Sequence, residues 1–226
     1  MRHLSARKKR VSSVLGAGAL LIGGIAGPAL LAAAPASAAT CVAGAPCSMT
    51  GTATLGTGTL TLTAPATLTW AGTLTGLTQE LVDTVAADQT YNVDDATGSA
   101  TGWNVAVAAT QFTATGGALL PLTGTFSTNG SVTSATAAAA PTATCASGAG
   151  TCTLPTDAVT YPVAVTTGAA VTPIAIYSAA TSTGEGSIDI GGSTAADPVG
   201  WWLAVRPDAT PGTYTSTITL TLASGP

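Results

Sequence analysis

The sequence predicts an all-β protein, an antiparallel β-sandwich of immunoglobulin-like or Greek-key type, preceded by a secretory signal peptide. Residues 212–222 place Tyr214, Ile218, Leu220 and Leu222 on one parity and a run of threonines on the other. Successive side chains of a strand face opposite sides, so this pattern indicates a strand with one apolar face. Short segments of the same kind recur along the chain with Gly and Pro between them, which is typical of sandwiches and barrels.

The first 38 residues have the composition of a signal peptide. Five basic residues precede an apolar stretch at 14–34, and Ala36-Ser37-Ala38 fits the A-x-A pattern of a cleavage site. An uncleaved membrane anchor is the alternative, because the apolar stretch is long enough to span a bilayer. Its glycines and Pro28 weaken it as a helix. We therefore predict cleavage, a single domain over residues 39–226 and no stable membrane anchor in the mature protein.

The chain after residue 38 is acidic. It holds one base, Arg206, and ten carboxylates, which give a formal charge of −9. A protein without Lys cannot neutralise many phosphates, which argues against nucleic-acid binding and against a site on anionic lipid. His is also missing from this part of the chain. A nucleophile activated by His or Lys is therefore excluded.

Paired carboxylates are the catalytic chemistry that remains. Asp94 and Asp95 are adjacent in a segment, 94–99, whose composition predicts a loop. Neighbouring side chains of an extended chain point apart, so these two form a poor acid and base pair. We expect them to solvate a turn or to bind calcium through loop oxygens. We predict no cofactor and no enzyme activity, with a carbohydrate-active enzyme as the competing class.

The four cysteines form two close pairs, Cys41 with Cys47 and Cys145 with Cys152. Export favours disulfides, and three pairings are possible. We prefer the local pairing, in which each bridge closes a short loop and contributes on the order of 2 kcal/mol. No metal site is predicted, because His is missing after residue 38 and neither pair has C-x-x-C spacing.

Several other segments alternate in the manner of strands, and two do not. Residues 77–87 fit either a short helix or a strand. Residues 131–150 are rich in Ala, Thr and Ser and predict a surface loop closed by the second cysteine pair. The segments predicted as strands are residues 50–64 (one or two strands), 67–74, 89–93, 102–108, 118–126 (broken at Pro121), 159–165, 171–177, 187–190 and 199–205.

The aromatic side chains are the candidate ligand contacts, because flat rings can lie on the apolar faces of sugars. Trp201 and Trp202 are consecutive, so they face opposite ways in a strand. One is expected in the core and the other exposed or covered by a loop. Parity with Leu203 assigns Trp201 inward and Trp202 outward, which makes Trp202 the first candidate for ligand contact. Trp201, Trp103 and Tyr214 complete the candidate site.

Trp103 also has a competing interpretation as a core residue. It shares its parity with Val105 and Val107. A Trp on such an apolar face is most often buried.

Four stretches of the sequence resemble the WxL-domain proteins of Gram-positive bacteria. The segment 102–107 is similar to the family's central Gly-Trp strand, and Trp201-Trp202-Leu203 is itself a Trp-x-Leu. The stretch 179–186 resembles the family's approach to its penultimate strands. The segment 212–222 resembles its final Gly-x-Tyr strand, except that Leu220 stands where the family most often has a second Trp.

The resemblance implies an extracellular β-sandwich that is associated with the cell wall. It implies non-covalent attachment to peptidoglycan or another wall glycan, without catalysis. The alternative function is a structural surface subunit that self-assembles or pairs with other surface proteins. Thr-rich strands without Lys could add edge to edge, which favours that alternative.

Overall fold

A computed structural model describes residues 43–44, 51–192 and 197–226. The predicted signal peptide, its cleavage site and the pair Cys41 and Cys47 lie outside the described residues. Within the described part of the chain, no helix has the length and apolar character needed to cross a bilayer.

The described residues form thirteen strands, all in the unit Thr54–Pro226, and every strand pairing is antiparallel. Of the other unit, Met1–Ala53, the described residues form no strand. A short 3-10 helix spans Ala86–Gln89. The strands are β1 (Leu60–Thr63), β2 (Gln79–Val82), β3 (Thr90–Asp95), β4 (Trp103–Ala109), β5 (Thr113–Ala114), β6 (Phe126–Asn129), β7 (Ala143–Cys145), β8 (Val163–Val165), β9 (Ile174–Ala179), β10 (Gly186–Gly191), β11 (Gly200–Val205), β12 (Tyr214–Thr215) and β13 (Ile218–Ser224).

These strands form three main sheets and one two-stranded ribbon. The sheet orders are β1-β3-β10-β7, β2-β11-β6-β8 and β13-β4-β9, and the ribbon is β12-β5. The sheets enclose one apolar core, to which β3, β4, β6, β8, β9, β10 and β11 all contribute buried side chains. The all-β prediction with antiparallel sheets is confirmed. The immunoglobulin-like type of the sandwich stays a prediction.

Alternation identified the buried face of several strands correctly. Tyr91 and Val93 of β3 are buried between half-buried neighbours, as the period of two predicts. In β4, Trp103, Val105 and Val107 are fully buried. Burial of one face is what selects the register of such strands, so the pattern carries the information directly.

Parts of three of the four stretches in the resemblance meet in the sheet β13-β4-β9. Strand β4 pairs with β13 on one side, where Val107 is opposite Leu220. It pairs with β9 on the other side, where Trp103 is opposite Ala179. The indole N–H of Trp103 donates to the carbonyl of Gly184 at 2.8 Å. These distant pieces of sequence therefore support one tryptophan.

Residues 212–222 were predicted as one strand, but they form two, β12 and β13. The chain changes partner at residues 216–217, because β12 pairs with β5 and β13 with β4. Thr110 marks the change: its hydroxyl accepts from the Thr217 N–H at 2.8 Å. Along β13 the alternation holds, with Ile218, Leu220 and Leu222 half-buried between exposed threonines.

The strand predicted at residues 67–74 is wrong. This segment, with Pro65 and Ala66 before it, belongs to no sheet, and we call residues 65–74 the strap. Its backbone bonds to a side chain instead of a neighbouring strand, since the N–H of Thr69 donates to the Asp83 carboxylate at 2.6 Å. Similarly, the strand predicted at 50–64 is limited to β1.

Two ambiguous segments are now resolved. Residues 77–87 contain both predicted alternatives, a strand and the start of a helix, because β2 is followed by the 3-10 helix. Asp94 and Asp95 do not begin a loop, because they end β3, with β1 and β10 paired on either side. Asp95 is buried, and its Oδ1 accepts from both the N–H and the hydroxyl of Thr97. Asp95 therefore shapes the turn that follows β3.

The local disulfide prediction is confirmed for Cys145 and Cys152. Cys145 ends β7, opposite Ile188 of β10, so the bridge closes the loop that leaves that sheet edge. Replacing both cysteines with serine is expected to lower the free energy of unfolding by about 2 kcal/mol, because a short closed loop restricts the unfolded chain. Urea unfolding of the double variant measures this. A loss below a few tenths of a kcal/mol would contradict it, with the reduced wild-type protein as the control.

Candidate functional site

The described residues form a cleft of about 970 Å³. The strap forms one wall, and residues 209–216, here called the 209–216 turn, form the other. The floor comes from the apolar faces of β2, β11 and β13 and from two core residues that follow β4: Leu81, Trp201, Leu203, Val205, Ile218 and Leu220 from the strands, with Phe112 and Leu120. Its size falls at the upper end of the range typical of small-ligand sites, about 300–1,000 Å³.

Trp70 fixes the strap to the body of the protein. Its ring packs edge-on against Phe112 and Phe126, with centroid distances of 5.8 and 5.9 Å. Its indole N–H donates to the carbonyl of Trp201 at 2.9 Å. The ring remains partly exposed and lines the cleft. It is therefore a flat apolar surface held in one orientation, which suits it to contact a ligand.

Tyr214 is held in a similar way on the opposite wall. Its hydroxyl donates to the carbonyl of Thr210 at 2.8 Å across the 209–216 turn. Its ring is half-buried and lines the cleft. Of the four candidate ligand contacts predicted from the sequence, Tyr214 is the one with an exposed face in this cleft.

Among the lining side chains of the cleft, within the described residues, there is no Asp, Glu, Lys, Arg or His. Its polar groups are hydroxyls and one amide, including Thr67, Thr73 and Thr213 near the opening and Gln79 at the edge of β2. Arg206 and Asp208, just before the 209–216 turn, pair with each other at 3.0 Å and are both exposed.

The other three candidate contacts are core residues. Trp103 and Trp201 are 0% exposed. Trp201 stacks on Phe126 with ring centroids 6.1 Å apart, and its indole N–H donates to the Asp88 carbonyl at 2.8 Å. The inward assignment of Trp201 is confirmed, as is the core interpretation of Trp103. Trp201 reaches the cleft only as part of its floor.

Of the two alternatives for Trp202, exposed or covered by a loop, the structure shows the second. It lies on the opposite face of β11 from Trp201, but it is only 5% exposed, because a loop covers it. Its indole N–H lies 2.9 Å from the carbonyl of Ser131 and 3.2 Å from Oδ1 of Asn129. Gly200 allows this close approach, since a Cβ atom there would collide with the Ser131 backbone. The loop-covered alternative is the correct one.

A pair of carboxylates lies behind the cleft. Asp83 is fully buried, and Asp88 beside it is nearly so. Burial raises the pKa of Asp88, and the neighbouring charge of Asp83 raises it further. Neither residue lines the cleft. The two carboxylates therefore cannot act as the acid and base of a reaction there. Asp83 instead stabilises the turn between β2 and the 3-10 helix, because its Oδ1 accepts from the N–H of Val85 at 2.8 Å.

Replacing Asp88 with asparagine is expected to stabilise the protein at neutral pH. The pKa of Asp88 is raised on folding, so its ionised form opposes folding at every pH above that folded pKa. The cost fades as pH falls through the raised pKa of the folded state and is gone below the ordinary pKa of 3.8, where the carboxyl is protonated in both states. Urea unfolding at neutral pH and below 3.8 should show the gain only at neutral pH. An equal gain at both would contradict this explanation.

A second polar cluster contains three tyrosines and Asp157. The hydroxyl of Tyr161 lies 2.8 Å from Oδ2 of Asp157, and Oδ1 of Asp157 accepts from the N–H of Ser178 at 2.9 Å. Burial raises the pKa of Tyr91, Tyr161 and Tyr177, and the charge of Asp157 adds to the effect. These hydroxyls therefore stay protonated at neutral pH, which indicates a structural role.

No group of three His, Cys, Asp or Glu side chains in the described residues has the arrangement of a metal site. Of the cleft's two partly exposed rings, the sequence pattern pointed only to Tyr214. Trp70 was assigned to a strand, because Leu68 shares its parity. In the sequence, Pro65 and Gly72 on either side of Trp70 are the signal that could have identified this segment as something other than a strand.

Comparison with known proteins gives one match. A family model described as "WxL domain surface cell wall-binding" matches residues 51–226, which is more than three quarters of the chain. No curated protein and no solved structure matches.

Proposed function

The chain belongs to the family of WxL surface cell-wall-binding domains, and from this membership we propose that it attaches non-covalently to peptidoglycan or another wall glycan, without catalysis. Its location is the cell surface, in association with the wall. The cleft is the proposed contact. The observation that carries this proposal is the pair of anchored rings, Trp70 and Tyr214, facing one uncharged space.

The arrangement suits binding better than chemistry. Rigid rings bind with little loss of side-chain freedom, and their apolar faces match the C–H faces of sugars. The carboxylates Asp83 and Asp88 lie outside the cleft, so no acid and base face a bound ligand there. Because the lining is uncharged, wall attachment should depend weakly on salt.

Sedimentation with purified cell walls tests the proposal. We expect the protein to be retained, to resist high salt and to be released by urea, because the contact is uncharged and non-covalent. An unrelated acidic β-sandwich of similar charge is the control. Retention no better than the control would refute wall binding, and retention that survives urea would refute non-covalent attachment. Release of reducing sugar from the walls would refute the absence of catalysis.

A second role as a structural subunit is favoured by exposed leucines. Leu55 is 92% exposed and Leu119 is 56% exposed, and large exposed apolar side chains often mark contacts with other proteins. Light scattering over a range of concentrations measures self-assembly. A mass that rises with concentration, and falls when both leucines are replaced by serine, would support this role. A constant monomer mass would contradict self-assembly.

A further inference from the structure

We propose that the cleft selects the neutral sugar chain of a wall polymer and rejects the ionised parts, such as peptide carboxylates and phosphates. This inference rests on the proposed function and names the ligand class of the same site. Three features of the cleft support it: its lack of charge, the net charge around it and the pattern of rings and hydroxyls.

The lack of charge sets the first limit on the ligand. An ionised group that enters an uncharged cleft loses water without gaining a charged partner, and that exchange is unfavourable. The nearest base in sequence, Arg206, is already paired with Asp208 and is exposed. It does not line the cleft. A carboxylate or phosphate would therefore have no counter-charge inside.

The charge of the surrounding protein acts in the same direction. Apart from Arg206, every charged side chain after residue 38 is an acid. The resulting field repels anionic ligands before they reach the opening. Glu80 illustrates the local separation, because it is exposed on β2 while its neighbours Gln79 and Leu81 line the cleft. This acidic side chain therefore lies next to the site in sequence without lining it.

The lining favours a ligand that is apolar on its faces and polar at its edges. Trp70 and Tyr214 provide two rings on opposite walls, and the floor beneath them is apolar. Hydroxyls of Thr67, Thr73 and Thr213 lie near the opening, where they can exchange hydrogen bonds with ligand hydroxyls. A neutral oligosaccharide has this combination. A purely apolar peptide would leave the hydroxyls unpaired, so a peptide is the less favourable occupant.

Two exposed leucines allow a matched test of the site. Leu74 is 37% exposed and lines the cleft, whereas Leu77 is 71% exposed and does not. Leu74→Asp places a carboxylate at the opening and removes an apolar contact, and Leu77→Asp makes the same change three residues away. Leu74→Asn removes the apolar contact without adding charge. Neither leucine belongs to the core, so all three variants should fold.

Calorimetry would use three kinds of probe: β-1,4-linked N-acetylglucosamine tetramer, a soluble neutral glucan, and a synthetic wall peptide with free carboxylates. We expect a neutral sugar to bind and the peptide not to bind. Whichever neutral sugar binds identifies the source of the ligand. Leu74→Asp should weaken that binding about tenfold, which is about 1.4 kcal/mol. Leu77→Asp should leave it unchanged.

The outcomes separate this inference from the proposed function. Peptide binding with no sugar binding would overturn the inference, and so would equal affinity of Leu74→Asp and wild type. If walls still retained the protein in those cases, the proposed function would stand. Absence of retention by walls would remove the proposed function itself. A sugar that binds wild type and Leu77→Asp equally, and Leu74→Asp less tightly, supports both.

Discussion

Replacing Trp201 with alanine is expected to lower the free energy of unfolding by about 3–5 kcal/mol, the range for removing a large buried ring. The side chain is 0% exposed and stacks on Phe126. Its removal leaves a cavity under the cleft and deprives the Asp88 carbonyl of its indole donor. Because domains of this size are stable by only about 5–15 kcal/mol, the variant should unfold at much lower urea concentration.

Trp201→Phe separates the contribution of the aromatic ring to stability from the contribution of its hydrogen bond. Phenylalanine keeps an aromatic partner for Phe126 but has no N–H for the Asp88 carbonyl. The loss should be nearer 1 kcal/mol, the usual net contribution of one hydrogen bond, with a further cost for lost volume. Urea unfolding followed by far-ultraviolet circular dichroism measures both variants. A loss under 1 kcal/mol for alanine would mean that Trp201 is not part of the core.

The burial of Trp201 was predictable, because the alternation of apolar and polar residues can be seen in the residues next to it in the sequence. In a strand with one buried face, apolar side chains recur at every second residue. Leu203 therefore indicates that Trp201 faces the core, and Val105 indicates the same for Trp103. The coverage of Trp202 was not predictable in this way. It depends on residues 129–131, far away in sequence, and on the missing Cβ atom of Gly200 that lets them approach. Alternation shows on which face of a strand a residue lies, but it does not show what covers that face.

The cleft was beyond prediction for a related reason. The strap alternates like a strand, and β-propensity describes a fit to a pleated surface that only a partner can provide. No strand pairs with it among the described residues, and a carboxylate from the β2 turn takes the place of the ladder. The final segment shows the same limit at 216–217, where a change of partner divides one alternating run into β12 and β13.

Asp83→Ala should be the most damaging change to the strap. The Asp83 carboxylate is fully buried and accepts two backbone N–H groups, from Thr69 at 2.6 Å and from Val85 at 2.8 Å. Alanine leaves both donors without this acceptor, at a cost of about 1–3 kcal/mol each if they stay buried. We expect a loss of about 3 kcal/mol, because the exposed strap can turn Thr69 towards water. Urea unfolding measures the total.

Hydrogen exchange distinguishes loosening of the strap from global unfolding. If Asp83 is the strap's anchor, amide exchange in residues 65–74 should speed up more than exchange in β4, which keeps both neighbouring strands. Asp208→Ala is the control, since Asp208 is exposed and its pair with Arg206 should contribute under about 1 kcal/mol. Equal acceleration in the strap and β4 would show that Asp83 supports the whole fold instead. Selective acceleration would mean that the wall carrying Trp70 depends on one carboxylate behind it, so the shape of the cleft is set by a residue no ligand touches.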